Sequence, residues 1–285
     1  IMLTFAISAR GQRGAHVSVE LAMQTLTIDV GGSKALFELQ LKGHTEQYKI
    51  PTGEGFKIED LNDQIAALER DYDLRNYHLA IAVPGLVQQN RLVSCKSLPG
   101  LNGLSFETLK TQGELKFICN DIDAGMQATC DEKYACELLV MCGTGIGMSI
   151  ALSGKAFTGA TGVAGELGHC RVMTEAGEFS LEQLASGDSI RSRKIATADD
   201  LYLAGTYLGM GLAWAVNLFN PNRIWLAGGM MNSAPYYKGC LDSLRRMALS
   251  APLAEMKINR VDDMETLVCR GLSVILARDY SKDAA

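Results

Sequence analysis

Glu166 and His169 stand three residues apart in Ala164-Gly-Glu-Leu-Gly-His169, bracketed by Gly165 and Gly168. A carboxylate and an imidazole on so tight a path are spaced to hydrogen-bond vicinal hydroxyls. Upstream lies Gly143-Thr144-Gly145-Ile146-Gly147, a turn whose backbone can approach a phosphate and aim N–H groups at it, with the Thr144 hydroxyl as an extra donor. Asp29-Val30-Gly31-Gly32-Ser33-Lys34 supplies another such turn. Asp29 would not touch phosphate, because like charges repel; it is suited to hold Mg²⁺ or its water shell. Asn120-Asp121 follows the apolar Phe117-Ile118-Cys119. A carboxylate at a strand end can accept the proton of an attacking hydroxyl. The pair also suits a helix N-cap, and both readings stay open for different atoms. Two phosphate turns, one acid and a polar cluster are what phosphoryl transfer to a hydroxyl requires. None of these signals is specific alone. No Gly-Lys-Ser/Thr follows Gly143, so this is not a Walker loop. Asp-x-Gly-Gly-Ser is also a plain hairpin turn, and an isolated histidine is more often a satisfied surface or core residue. That second reading is the one given to His16, His44 and His78.

The surrounding pattern must position these groups. Leu26, Ile28 and Val30 alternate with polar neighbours, which predicts a strand over 24–30. Strands are expected over 35–41 and 46–50, then a helix with Ile58, Leu61, Ile65, Leu68 and Tyr72 on one face. Another strand, 79–83, closes at Pro84-Gly85. A similar order restarts at Leu138: strand, glycine turn over 143–147, and a returning strand over 148–152. A long helix over 201–219 stops before Pro221, a strand over 224–227 ends in Gly228-Gly229, and a helix over 236–249 follows. The repetition predicts two similar α/β lobes with a cleft between them, where small ligands commonly bind. The boundary expected near residue 121 is a packed hinge, with lobes over 23–121 and 122–270 and a helix from about 271 to 285 packing back on the first.

Composition narrows the function. An apolar share of 47% with 21% charged residues describes an ordinary soluble protein, and a net charge of −5 argues against sequence-blind nucleic-acid binding. The eight cysteines lack any C-x-x-C pair, so free thiols in a reducing cytoplasm are expected. No apolar run was expected to reach the ~18–20 residues that span a bilayer, so no membrane association is anticipated. Residues 1–22 carry Arg10 and Arg13 after their apolar part, which does not fit a signal peptide; they read as an extension, with Met23 as an alternative start.

Seven segments occur in the order seen in the ROK family (repressor, open reading frame, kinase): Asp29–Lys34, Leu98-Pro-Gly-Leu-Asn-Gly103, Asn120-Asp121, Gly143–Gly147, Ala164–His169, Leu181-Glu-Gln-Leu-Ala-Ser-Gly187 and Asn220–Gly229. The chain resembles that family from about Met23 onward. The resemblance implies a two-lobed actin-like, ribonuclease-H-like ATPase fold with a central cleft, and ATP- and Mg²⁺-dependent phosphorylation of a hexose or N-acetylhexosamine. It implies Asp121 as catalytic base and Asn120, Glu166, His169 and Glu182 as sugar-binding residues. Gly31, Gly32, Ser33 and Lys34 match the first phosphate motif, Gly143, Thr144 and Gly145 the second, and Gly228 and Gly229 the turn near the adenosine.

Three departures bear on this. Where many members carry a cysteine-rich zinc motif, this chain has Met173-Thr-Glu-Ala-Gly-Glu-Phe-Ser180, and Cys170 alone cannot close a tetrahedral site, so no zinc is expected. Ser97 and Leu101 replace the family's frequent Asn and Trp near the sugar loop. The segment between Gly187 and Leu201 is a few dozen residues shorter than usual. The leading expectation is a cytoplasmic sugar kinase, with a homodimer left open. The alternative is a sugar-sensing regulator without useful kinase activity; an ATP-dependent activator of the same fold is a third.

Overall fold

The computed structural model describes residues 24–283, so the expectations for residues 1–22 and for His16 fall outside the described residues. The described residues open with an antiparallel meander of β1 (Thr25–Val30), β2 (Lys34–Leu41) and β3 (His44–Pro51). Helix α1 (Ile58–Asp71) follows, burying Leu61, Ile65 and Leu68. Then come β4 (His78–Val83), the β5 (Leu86–Gln88) and β6 (Arg91–Ser94) hairpin, and β7 (Glu114–Asn120). Helix α2 (Asp121–Gln127) leads to β8 (Cys136–Cys142), β9 (Ile146–Leu152) and β10 (Lys155–Ala156). A second hairpin, β11 (Arg171–Thr174) and β12 (Gly177–Ser180), precedes the short helices α3 (Leu181–Ala185) and α4 (Gly187–Ser192). Helix α5 (Ala198–Phe219), β13 (Arg223–Ala227), α6 (Ala234–Met247), α7 (Ser250–Glu255), β14 (Lys257–Arg260) and α8 (Leu267–Asp283) complete the order.

The two five-stranded sheets share one topology. Their orders are β3-β2-β1-β4-β7 and β10-β9-β8-β13-β14. In each, three strands form the antiparallel meander and the last two run parallel to the first of the three. The parallel strands β1, β4 and β7 therefore end on one edge, as do β8, β13 and β14. Carboxyl edges are where ligands bind in open α/β sheets, because the connections diverge there and leave a crevice.

Helices α2 and α8 fill the layer between the sheets. Ala124 of α2 joins Ala80, Ala82, Val268, Leu272 and Leu276 on one side, while Met126 joins Leu139, Ala151, Ala227 and Leu267 on the other. The two helices cross so closely at Gly271 that a side chain there would lie 1.7 Å from the Ala124 carbonyl oxygen. Each sheet keeps a core of its own on the opposite face, built around Leu26, Ile28, Leu61 and Leu79 in the first and Leu138, Leu208, Leu212 and Ile224 in the second.

Two expectations are corrected. Helix α5 is apolar and long enough to cross a membrane by length and composition, but half of its most apolar stretch is buried inside the protein. Gly205 and Gly209 let it press against α6, where added side chains would strike the Tyr236 and Cys240 carbonyls. The helix expected over 236–249 stops at Met247, and Pro252 lies in the separate helix α7. All eight cysteines are free thiols; Cys170 is exposed and Cys119 and Cys130 are half-buried.

Candidate functional site

The Asp29–Lys34, Asn120-Asp121, Gly143–Gly147 and Gly228-Gly229 segments each lie at the end of a strand at a carboxyl edge, whereas Leu98–Gly103, Glu166–His169 and Glu182 lie elsewhere. The turn after β1 is closed by Gly31 N–H donating to the Lys34 carbonyl (2.9 Å) and pinned by Thr52, whose hydroxyl donates to the Gly31 carbonyl (2.6 Å). Asp29, one residue before the end of β1, pairs in register with Ala82 of β4. Burial pushes its carboxyl up to about 6, against the pull of Lys34. The Lys34 ammonium is 3.2 Å from a Glu265 oxygen that Lys49 also contacts at 2.7 Å, on the surface. Ser33 is exposed, and Gly32 packs toward Ser97, whose hydroxyl is 3.3 Å from the Cys95 sulfur.

Of the two roles left open above, the N-cap of α2 is filled by Asn120: its Oδ1 accepts from Ile122 N–H (2.9 Å), and its Nδ2 donates to the Gly85 carbonyl (3.1 Å). Asp121 is the first residue of α2, and one carboxylate oxygen accepts from Ile122 N–H at 2.9 Å. The protein packed around it pushes its carboxyl up to about 7, with the Asp29 charge as the next cause. Asp123, two residues along the helix, accepts a 2.6 Å hydrogen bond from the buried Ser149 hydroxyl. Burial raises its carboxyl also, and the Glu166 charge adds to the effect. Asp29, Asp121, Asp123 and Glu166 thus form a chain of electrostatically coupled acids running from the first sheet to the loop after β10. Asp123 was not singled out from the sequence; its position two residues after Asp121, in the first turn of a helix that starts at a strand end, was the available signal.

The turn after β8 is organised differently. Gly143 N–H donates to the Gly145 carbonyl (3.0 Å), while Gly187 and Asp188 of α4 donate to the Gly143 and Thr144 carbonyls at 2.8 and 3.1 Å. Glu182 of α3 accepts from Ile146 N–H at 2.9 Å through Oε2. It therefore braces this turn. Open space surrounds the position a side chain would take at Gly143 and at Gly229, whereas at Gly147 it would meet Ile122 of α2. Gly228 has φ +97° and abuts the Cys142 backbone, so only glycine joins the two turns there without strain. Its N–H points at the Met264 sulfur, 3.0 Å away.

Glu166 and His169 are exposed, with Nδ1 of His169 3.3 Å from a Glu166 oxygen. Their loop is seated by Gly165 (φ +95°), which packs against the Met148 carbonyl. The Met173–Ser180 stretch forms the β11–β12 hairpin, tied by Arg171 and Glu178 at 3.6 Å. Among the described residues no three His, Cys, Asp or Glu side chains cluster so as to hold a metal ion. Two shallow depressions beside α1, lined by residues such as Phe56, Asp60 and Asn62, contain none of the candidate residues.

The sequence profile of the ROK family matches residues 25–266. The chain belongs to the ROK family. It is 31% identical over 164 residues to the N-acetylmannosamine kinase of Escherichia coli O157:H7, a match covering 52% of this chain and 54% of that protein. The chain thus spans about half the length of this curated relative. Three solved structures share the architecture. A ROK glucokinase from Streptomyces griseus, in complex with glucose and AMPPNP, superposes with a TM-score of 0.71 at 19% identity, covering 90% of this chain and 99% of that one. A ROK family transcriptional regulator, a homologue of the E. coli MLC protein, gives 0.73 at 21% identity, covering 90% and 78%. The ROK hexokinase from Thermus thermophilus gives 0.66 at 21%, covering 90% and 100%. At such identities the likeness establishes the fold, which is the two-lobed actin-like ATPase fold with its central cleft.

Proposed function

We propose that this ROK protein is an ATP-dependent carbohydrate kinase that phosphorylates a hydroxyl of a hexose or N-acetylhexosamine. The observation that carries the reading is Asp121: a carboxylate at the carboxyl edge of β7, fixed at the start of α2, with its acidity moved to about 7 by burial and by Asp29. A general base works best when its pKa lies near the operating pH. Asp121 accepts the proton of the attacking hydroxyl, with the primary hydroxyl as the preferred nucleophile. Glu166 and His169 hold neighbouring hydroxyls. Asn120 contributes the amide hydrogen that Gly85 does not use, and Glu182 contributes Oε1 while Oε2 braces the second glycine turn.

The residues present suit a nucleotide with its magnesium ion. The glycine turns at 31–34, 143–145 and 228–229 offer backbone N–H groups other than those of Gly31, Gly143 and Gly228, which are donated within the protein, with open space beside Gly143 and Gly229 for a phosphate or ribose to approach. Asp29 is a hard oxygen donor, half-buried and coupled to Asp121, of the kind that holds Mg²⁺ or one of its waters. When bound, ATP supplies the phosphoryl group and Mg²⁺ neutralises its charge. The chain's own part is to orient the hydroxyl, exclude water by closing the lobes and take the proton. The reading includes no structural zinc and a cytoplasmic setting suited to free thiols.

The test is ADP release measured against a panel of hexoses and N-acetylhexosamines, with N-acetylmannosamine first because the curated relatives carry that name. Turnover of one sugar, lost in Asp121→Asn, supports the reading. Sugar-induced thermal stabilisation without turnover of any sugar would instead favour a sensor.

A further inference from the structure

The first residues of β9 serve two neighbours in turn. Strand β10 pairs only with Ala151 and Leu152, so the edge of β9 at Ile146 and Met148 is left to the Glu166 loop. A side chain at Gly168 would lie 2.3 Å from the Ile146 carbonyl oxygen, and one at Gly165 would lie 2.1 Å from that of Met148. The intervening positions meet the first turn of α2. A side chain at Gly147 would lie 1.8 Å from Ile122 Cδ1, and the Ser149 hydroxyl donates to Asp123 at 2.6 Å. The loop that carries Glu166 and His169 and the helix turn that carries Asp121 therefore rest on the same four residues of one strand. Ser149 is buried, and its bond to a carboxylate is of the short, charge-assisted kind.

We propose that Asp123 and Ser149 are a positioning pair for proton transfer, holding Asp121 in register with the hydroxyl that Glu166 and His169 present. The proposal rests on the kinase reading above. The Asp121 carboxylate accepts from Ile122 N–H, within its own helix, so the base goes wherever the first turn of α2 goes. Ile122 meets β9 through an apolar contact, which tolerates sliding. Asp123 meets it through a directional bond, which does not. Asp123 acts through charge as well. The titratable groups around Asp121 are Asp29 from β1, Asp123 on α2 and the Cys119 thiol near the end of β7, which burial pushes up. Lys34 of β2 and Cys269 of α8 act on Asp29, and Glu166 acts on Asp123. Asp123 is a weaker influence on Asp121 than Asp29 is, and of the same sign.

The test is steady-state kinetics across pH on the full 285-residue chain, with a sugar that the wild type turns over. Ser149→Ala removes the hydroxyl with little change in volume. Its kcat on the alkaline plateau should fall roughly 10-fold to 100-fold, with the sugar KM within about 3-fold and Tm within about 4 °C of wild type. Asp123→Asn keeps an oxygen for Ser149 and removes the charge. Its plateau kcat should stay near wild type, while the acid limb moves to lower pH by less than in Asp29→Asn. Asp123→Ala should show both the plateau loss and the moved limb. Adding Ser149→Ala to it should cost nothing further, because the two groups act as one. Wild-type plateau rates in Ser149→Ala and Asp123→Ala overturn the proposal, as do losses that multiply in the double variant. A lowered Tm with the plateau rate and the acid limb unmoved is the signature of a merely structural bond and overturns it too. A wild type that turns over no sugar overturns the kinase reading itself, and the proposal with it.

Discussion

The two sheets have the same strand order and are used in opposite ways at their carboxyl edges. The first edge carries ionisable groups, Asp29 and Asp121, each raised in pKa by burial, with Asp123 following in α2. The second edge carries two glycine turns where the first carries one, and Glu182, the carboxylate bonded to the 143–147 turn, is already satisfied by a backbone N–H. A duplicated scaffold has therefore been split by charge. One half holds acids that are costly to ionise and the other holds neutral dipoles that cost little, which suits an edge for proton acceptance facing an edge for phosphate.

That contrast can be broken at Asp121 first. Asp121→Asn retains the oxygen that accepts from Ile122 and should lower turnover by roughly 10²–10⁴-fold with sugar affinity kept, read by steady-state kinetics and by sugar titration. Near-normal turnover would remove the first edge from the chemistry. On the second edge, Gly143→Ala places a methyl in open space that a phosphate would approach, so Tm should hold while the KM for nucleotide rises about 10-fold, or roughly 1.4 kcal/mol. Gly228→Ala is the contrasting control: φ +97° and contact with Cys142 predict about 1–3 kcal/mol of destabilisation, visible as a lower Tm.

The smaller effects sharpen the comparison through pH. Asp121 with a pKa near 7 is protonated below neutrality, so activity should rise with pH through about 7. Asp29→Asn removes a neighbouring negative charge, so the acid limb of the pH–rate profile should move to lower pH. Stability has the opposite sign. A carboxyl raised from 3.8 to about 7 binds its proton more tightly in the folded chain, so stability is lost as pH rises through that window. Asp121→Asn should therefore unfold a few degrees higher than the wild type at pH 8 and show little gain at pH 4, measured by calorimetry.

Much of the frame was legible because local patterns agree with the final environment. Strand β1 alternates cleanly, α1 presents one apolar face, and each glycine turn lies against an apolar run. The β11–β12 hairpin was not read, since Met173 is 77% exposed and supplies no inward face to reveal a strand. Helices α3 and α4 are too short for periodicity, although Ser180 and Gln183 form a capping box that marks the start of α3. Within the site, the identities of the acids were legible and their couplings were not. The bond from Ile146 to Glu182 spans 36 residues, and the Ser149–Asp123 bond spans 26. Contacts between separate elements leave no trace in spacing. The reach of α5 was misjudged for a related reason: glycines that serve packing against α6 interrupt a run that remains apolar on average.

The α2–α8 layer has a consequence for how the chain is made. Helix α8 comes after both sheets in chain order, yet it covers α2 and the β1–β4 face of the first sheet. During synthesis Ala80, Ala82 and Ala124 stay wet until that helix leaves the ribosome, at some 5–20 residues per second. The nascent first lobe therefore waits, half-clad and open to chaperones, for a part that is translated after the second lobe.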